Sequence, residues 1–159
     1  FFCLYKFMDK IFIPVRGVAA PQGSKRHVGN GIMIENSKKV KPWRQDVRAA
    51  AIDHYEGSVI GRAVEIEIVF LFARPKSHFG TGKNANKLKQ KAPEFVTSSA
   101  TGDIDKLCRS TLDGLSAKAG GTVIKDDSLV VSLKAIKKYA KEDELLGANI
   151  FITPFALSY

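Results

Sequence analysis

From Ala63 to Phe72 the chain reads Ala-Val-Glu-Ile-Glu-Ile-Val-Phe-Leu-Phe, an apolar–polar alternation that closes as an apolar run. Successive side chains on a strand point to opposite faces, so this pattern predicts a strand passing from half-buried to fully buried. Ile11 to Gly17 predicts an earlier strand, and Pro14, which has no N–H for a ladder, places it near an edge or bulge. Pro21-Gln22-Gly23 signals a turn. Asn30-Gly31, between His27-Val28-Gly29 and Ile32-Met33-Ile34, supplies the two positive-φ residues of a tight hairpin turn. Thr122 to Leu133 reads as two short β runs with Asp126-Asp127 at their junction. Beyond it come Ala135 to Ala140, a charged turn from Lys141 to Glu144, and a last strand near Ala148 to Ile152.

Two segments carry helical spacing instead. Pro42 suits a first turn, after which Trp43, Val47, Ala50, Ala51 and His54 recur on one face until Gly57. His54 is therefore expected as a helix-face residue rather than a ligand. From Asp103 to Lys118, Leu107, Thr111 and Leu115 form a stripe that Cys108 and Leu112 widen, and Gly120-Gly121 ends the helix. The order of elements predicts an α+β fold, a mixed sheet with helices packed on it. A chain of 159 residues fits one domain with a core large enough to stand without disulfides or structural metal. That domain is expected to begin near Asp9. Residues 1–8 start with Phe1, and Met8 directly precedes the first strand, so they read as an upstream extension or an artificial remnant. Their apolar run is too short to span a membrane and lacks the marks of a signal peptide.

Charge narrows the partner. Against 16 Asp and Glu stand 25 Lys and Arg, a net +9, which favours nucleic acid over an acidic small molecule. A ribosomal-type or simply basic protein would share that balance. The basic residues cluster in two places. Lys25 and Arg26, with Lys38, Lys39 and Lys41, make the hairpin arm basic. Arg74 to Glu94 holds six Lys or Arg against one acid, with little apolar periodicity, and predicts a mobile basic loop reaching to about residue 101. Lys25, Arg26, Lys76, Lys83, Lys87, Lys89 and Lys91 are the candidate phosphate contacts; their alternative is a solvated surface. His78, Phe79 and Phe95 could stack on bases or merely anchor the loop. The two cysteines, Cys3 and Cys108, lack metal-ligand spacing and point to a reducing cytoplasm.

Within this basic chain two aspartate pairs stand out, Asp103-Ile104-Asp105 at the start of the second helix and Asp126-Asp127 after it. Clustered carboxylates repel one another unless a cation compensates, and hard oxygen ligands suit Mg²⁺ or Mn²⁺. Taken alone, the helix has a plainer explanation: Asp103 caps it, and Asp105 with Arg109 forms an i, i+4 ion pair on a face continued by Asp113. A turn would likewise explain one aspartate of the second pair. It explains less well why a second acidic pair follows a helix that already starts with one, since folding that helix onto the strands can bring both pairs together. Other acidic motifs fail on spacing. An EF-hand loop from Asp103 would need Gly and Glu where Cys108 and Gly114 stand, and no phosphate-cradling Gly-x-x-x-x-Gly-Lys loop, Gly-x-Ser-x-Gly elbow or His-Glu-x-x-His occurs.

The run Gly102-Asp103-Ile104-Asp105-Lys106-Leu107-Cys108-Arg109-Ser110-Thr111-Leu112-Asp113-Gly114-Leu115, followed by Val123-Ile124-Lys125-Asp126-Asp127-Ser128-Leu129-Val130, resembles the RusA-type Holliday junction resolvases. The preceding Pro21-Gln22-Gly23-Ser24-Lys25-Arg26 and the order of elements agree, over roughly residues 10–152. The resemblance implies a single RusA-like domain and a homodimeric, Mg²⁺-dependent endonuclease, with Mn²⁺ as the alternative ion, that binds four-way DNA and cuts two strands symmetrically. It puts the metal-binding carboxylates on Asp103, Asp105 and Asp127, with Asp126 as a fourth, and the helix's essential basic residue on Arg109. The better-known pattern Asp-x-Asp-Asn-Leu-x-Lys is changed here to Lys106 and Arg109, and an Arg cannot donate a proton near neutral pH. Lys106 is then a second candidate for the catalytic positive charge. Two rivals remain open, a non-catalytic DNA-binding accessory protein of recombination and a metal-dependent nuclease for flaps or RNA.

Overall fold

The computed structural model describes residues 9–23, 25–27, 29–30, 33–35 and 38–156, so the expected extension at residues 1–8 lies outside it. In chain order the elements are β1 (Ile11–Arg16), β2 (Lys25–His27), β3 (Met33–Glu35), α1 (Val40–His54), β4 (Val64–Phe72), α2 (Ile104–Leu115), β5 (Val130–Tyr139) and β6 (Gly147–Pro154). Four strands make one sheet in the order β1-β6-β4-β5, with β1/β6 and β6/β4 antiparallel and β4/β5 parallel. It is the mixed sheet of an α+β fold. Pro14 sits on β1, an edge strand, where its missing N–H interrupts no inner ladder.

The alternation in β4 does what its pattern predicts. Val64, Ile66, Ile68 and Phe70 are buried on one face, Glu65 and Glu67 are only half-buried on the other, and the strand ends with Leu71 and Phe72 both buried. Ile13 and Val15 of β1 and Ala148, Ile150 and Ile152 of β6 extend the apolar face. Trp43, Val47 and Ala51 of α1 and Leu107 and Leu115 of α2 belong to the same core cluster. Each large aliphatic chain so buried contributes about 1.5–3 kcal/mol relative to exposure. The two helices meet closely at Gly114, where a Cβ would lie 2.7 Å from the Val47 side chain. A glycine inside a helix is unfavourable by about 1 kcal/mol against alanine, and here the close approach requires it.

One polar contact is locked inside this apolar layer. Trp43 Nε1 donates to Thr111 Oγ1 at 3.1 Å, and Thr111 Oγ1 donates in turn to the Leu107 carbonyl at 2.8 Å, with both residues fully buried. Ser110, also buried, donates to the Ala20 carbonyl at 2.6 Å, and the Gln22 N–H donates to the Lys106 carbonyl at 3.1 Å. The Pro21-Gln22 turn is thereby clasped to the start of α2.

Two local expectations need correcting. The ladder pairs Lys25 with Glu35, Arg26 with Ile34 and His27 with Met33, which centres the connection on Asn30 instead of between Asn30 and Gly31. Among the described residues of the connection Gly29 and Asn30 have positive φ, 96° and 50°, while Gly31 lies outside them. Two neighbours that both tolerate the left-handed region let the register settle one residue earlier. Asp126-Asp127 is also not a hairpin between two short strands. Ile124 is bridged to Ile60 and Ser116, residues 127–129 form a short 3₁₀ turn, and β5 then runs unbroken for 10 residues beside β4. Val123 and Ile124 read as strand because they are fully buried, but their partners belong to the segments flanking α1 and α2.

The basic segment after β4 is built from short turns at Lys76–His78, Gly82–Asn84 and Ser99–Thr101. Arg74 ties it down by donating to the Pro93 carbonyl at 2.7 Å and by lying over the Tyr139 ring, 5.1 Å from its centroid. Backbone bonds from Val96 to Lys137 and from Tyr139 to Glu94 fasten its far end to β5. Among the described residues no helix is long and apolar enough to cross a membrane.

Replacing Thr111 with Val keeps the shape but strands the Trp43 N–H without an acceptor. Urea unfolding followed by circular dichroism should find Thr111→Val less stable by about 1–3 kcal/mol. Adding Trp43→Phe should then cost less than the sum of the two single changes. Additive losses would mean the bond contributes nothing.

Candidate active site

The hydrophobic stripe of α2 turns its polar side outward, and the route back from α2 to β5 brings the second acidic pair to that side. Asp105 and Arg109 of α2 and Asp127, in the turn before β5, line one hollow of about 430 Å³. The rest of its lining is apolar. Asp105, Arg109 and Asp127 are all exposed, and Asp105 and Arg109 form no ion pair with each other among the described residues. The plainer explanation of that i, i+4 spacing therefore does not apply.

The other two candidate carboxylates are held elsewhere. Asp103 occupies the N-cap of α2 with extended backbone, but its side chain makes no capping bond and accepts from Lys106 Nζ at 3.0 Å instead. Lys106 is thus a partner of Asp103, which raises the lysine's pKa by hydrogen bonding and attraction. Asp126 accepts from Lys118 Nζ at 3.1 Å and from the Ser128 N–H at 3.2 Å, capping its own 3₁₀ turn. A third acid of the region, Asp113, is bridged by Arg44 of α1 at 3.3 Å. Neither Lys118 nor Arg44 was marked by the sequence: Arg44 reaches Asp113 from α1, and Lys118 reaches Asp126 only because the chain turns back between α2 and β5.

The neighbouring carboxylates Asp126 and Asp127 split their titration. Hydrogen bonding from Asp127, the Ser128 N–H and Lys118 holds Asp126 down at about 2. Asp127 is pushed up, first by its contact with Asp126, then by partial burial and by the negative charges of Asp126 and Asp113. Cys108, buried at the floor of the hollow, is pushed up to about 11 by burial and then by Asp105, so it is an inert thiol at neutral pH.

No group of three or more His, Cys, Asp or Glu side chains among the described residues is arranged to hold a metal ion. The four aspartates Asp103, Asp105, Asp126 and Asp127 do not form a closed cage. Asp105 and Asp127 are the two that share the hollow. Their chemistry fits a hard divalent ion of the Mg²⁺ type, which keeps several waters and takes one or two carboxylates plus substrate phosphate. The negative charges of Asp126 and Asp113 contribute to the upward push on Asp127 after its hydrogen bond with Asp126 and its partial burial, and a divalent ion there would offset those charges.

Around this site the candidate phosphate contacts are spread widely. Gly102 precedes Asp103 with φ of 92°, against Pro21, and Lys137 Nζ donates to its carbonyl at 2.9 Å. Because Pro21 and Gln22 lie against the start of α2, the arm bearing Lys25 and Arg26 on β2 leaves from beside it. Lys76, Lys83, Lys87, Lys89 and Lys91 are exposed along the basic segment. His78 packs edge-on against Tyr139 at 4.8 Å, a loop anchor, whereas Phe95 is exposed.

A family model described as Endodeoxyribonuclease RusA matches residues 14–150. The chain is also similar to the uncharacterized protein YqaN of Bacillus subtilis (strain 168), 30% identical over 138 residues that cover 85% of this chain and 92% of that protein. The matched span runs from β1 to β6 and takes in α2 with its acidic face and the Asp126-Asp127 turn, and the chain belongs to the RusA endodeoxyribonuclease family.

Proposed function

We propose that the protein is a divalent-metal-dependent endodeoxyribonuclease that resolves four-way DNA junctions by paired phosphodiester hydrolysis. The observation that carries this reading is the meeting of Asp105, Asp127 and Arg109 in one hollow of a chain with net charge +9. Mg²⁺ is the expected ion, with Mn²⁺ as the alternative. Asp105 and Asp127 would hold it, with Asp103 and Asp126, each paired with a lysine, as the further carboxylates of the site. A divalent ion bound there would polarise the scissile phosphate and lower the pKa of an attacking water.

The chain's own residues supply the remaining steps. Arg109 faces the hollow and stabilises negative charge developing on the phosphate, a role that a permanently charged guanidinium fills without giving up a proton. Lys106, bonded to Asp103, is the second candidate for that charge. Lys25, Arg26 and the exposed lysines Lys76, Lys83, Lys87, Lys89 and Lys91 attract and orient the DNA backbone. Symmetric cutting of a four-way junction calls for a homodimer, two copies about a two-fold axis, so that two sites face one branched substrate. The reaction belongs in the cytoplasm, where the DNA is. One observation favours a second reading, a DNA-binding recombination accessory protein without catalysis: lysines already neutralise two of the four carboxylates.

Three outcomes are expected. Asp105→Asn and Asp127→Asn should each lower single-turnover cleavage by on the order of a hundredfold or more, while junction binding in a gel-shift assay stays equal or tightens as repulsion of phosphate falls. Wild-type cleavage by both variants would remove the site. Arg109→Ala should slow cleavage on the order of tenfold to a thousandfold with partial recovery in Arg109→Lys. Near-wild-type rates for both Arg109→Ala and Lys106→Ala would deny α2 a catalytic cation. For the basic segment, replacing Lys83, Lys87 and Lys89 with Gln should reduce the log–log salt slope of junction affinity by about 2–3 units, without moving the cut sites. An unchanged slope would make those lysines solvated surface.

A further inference from the structure

The part of the hollow that the carboxylates do not account for is apolar. Ile104, Cys108 and Leu112 on α2 and Leu133 and Ala135 on β5 line it beside Asp105, Asp127 and Arg109. Cys108 and Leu112 form a buried floor, whereas Ile104 and Leu133 stand 38% and 44% exposed on either side of it. Leu133 faces the helix side of the sheet because it is paired with the fully buried Ile66. A phosphate and its ion need oxygen and cationic partners, and none of these five side chains offers one. Covering Ile104 and Leu133 is favourable, and a group that does so while its phosphate meets Arg109 would be flat or aliphatic.

In DNA that group is the base of a nucleotide next to the scissile phosphate. We propose that the apolar hollow between α2 and β5 is a subsite that receives one unstacked DNA base, held between Ile104 and Leu133 while its phosphate meets Asp105, Asp127 and Arg109. The five apolar side chains offer no donor or acceptor to a base edge, so they hold a base by its faces. Extruding a base costs least where stacking is already interrupted. The subsite thereby favours branched over linear DNA at the moment of cutting. This inference rests on the reading of the site as one that faces branched DNA.

The test uses the intact protein and a synthetic four-way junction carrying 2-aminopurine at each nucleotide flanking the crossover in turn, bound in EDTA so that nothing is cut. 2-Aminopurine is quenched by neighbouring bases and not by aliphatic side chains. Its fluorescence should rise severalfold at one position on binding wild-type protein. The rise should be lost in Ile104→Ala/Leu133→Ala and kept in Val131→Ala, whose exposed side chain on the same strand does not line the hollow. An abasic site at that position should be bound equally by wild type and the double variant, which shows that the variant's loss lies in the base contact and not in its folding. Binding, measured by anisotropy, without a rise at any position overturns the subsite, as does a rise that survives the double substitution. Absence of any binding overturns both the subsite and the branched-DNA reading. Cleavage in Mg²⁺ is scored separately: cutting without a fluorescence rise removes only the subsite, and a rise without cutting removes only the nuclease.

Discussion

The burial of one stripe of α2 governs the rest of the site. Leu107, Thr111 and Leu115 are fully buried in the layer between the sheet and α1, and the Trp43–Thr111 hydrogen bond and the Gly114–Val47 approach fix the helix's rotation and depth. A helix held this way has no choice about where its remaining positions point. Asp105 and Arg109, two and two residues away from Leu107, face the hollow beside β5. Gln22 and Ala20 clasp the N-terminal half of α2, and Lys137 holds the carbonyl of Gly102 just before Asp103. The acidic face is thus positioned by contacts in which no carboxylate takes part.

Electrostatics then divides four aspartates into two kinds. Asp103 and Asp126 are each paired with a lysine that is itself near in sequence, and such exposed pairs contribute little to stability. Asp105 and Asp127 are left facing the hollow, with Asp127 pushed up in pKa by its acidic neighbours. An acidic patch that has not been neutralised, inside a protein of net charge +9, is an arrangement that stability alone does not favour. It makes sense if a cation and a polyanion arrive together, which is the proposed reaction.

Much of this was legible in the chain. The alternation of β4 and the apolar stripe of α2 are strong because each matches a geometric period over many residues, and burial follows the pattern residue by residue. The acidic pairs were visible as a surplus that ordinary capping and turn chemistry did not fully explain. The division of roles among them was not, since Arg44 reaches Asp113 from another helix and Lys118 meets Asp126 only through the turn between α2 and β5. The apolar half of the hollow was also hidden: Ile104 and Leu133 lie far apart in sequence and read as ordinary helix and strand residues. The ladder of the β2–β3 arm is offset by one residue from a two-residue turn at Asn30-Gly31, and Gly29 takes positive φ as well as Asn30. Val123 and Ile124 looked like half of a hairpin because burial, not strand pairing with β5, demands their apolar character.

The central claim is that the acidic face of α2 and the Asp126-Asp127 turn make a metal-dependent site for branched DNA. The most direct measurement incubates the wild-type protein with an end-labelled four-way junction and with a linear duplex of matched sequence, each with Mg²⁺ and with EDTA. The account predicts paired, symmetric cuts near the crossover in the junction with Mg²⁺, none in EDTA, and little or no cutting of the duplex. Binding of the junction with no cleavage in Mg²⁺ or Mn²⁺, or equal cleavage of junction and duplex, would contradict it.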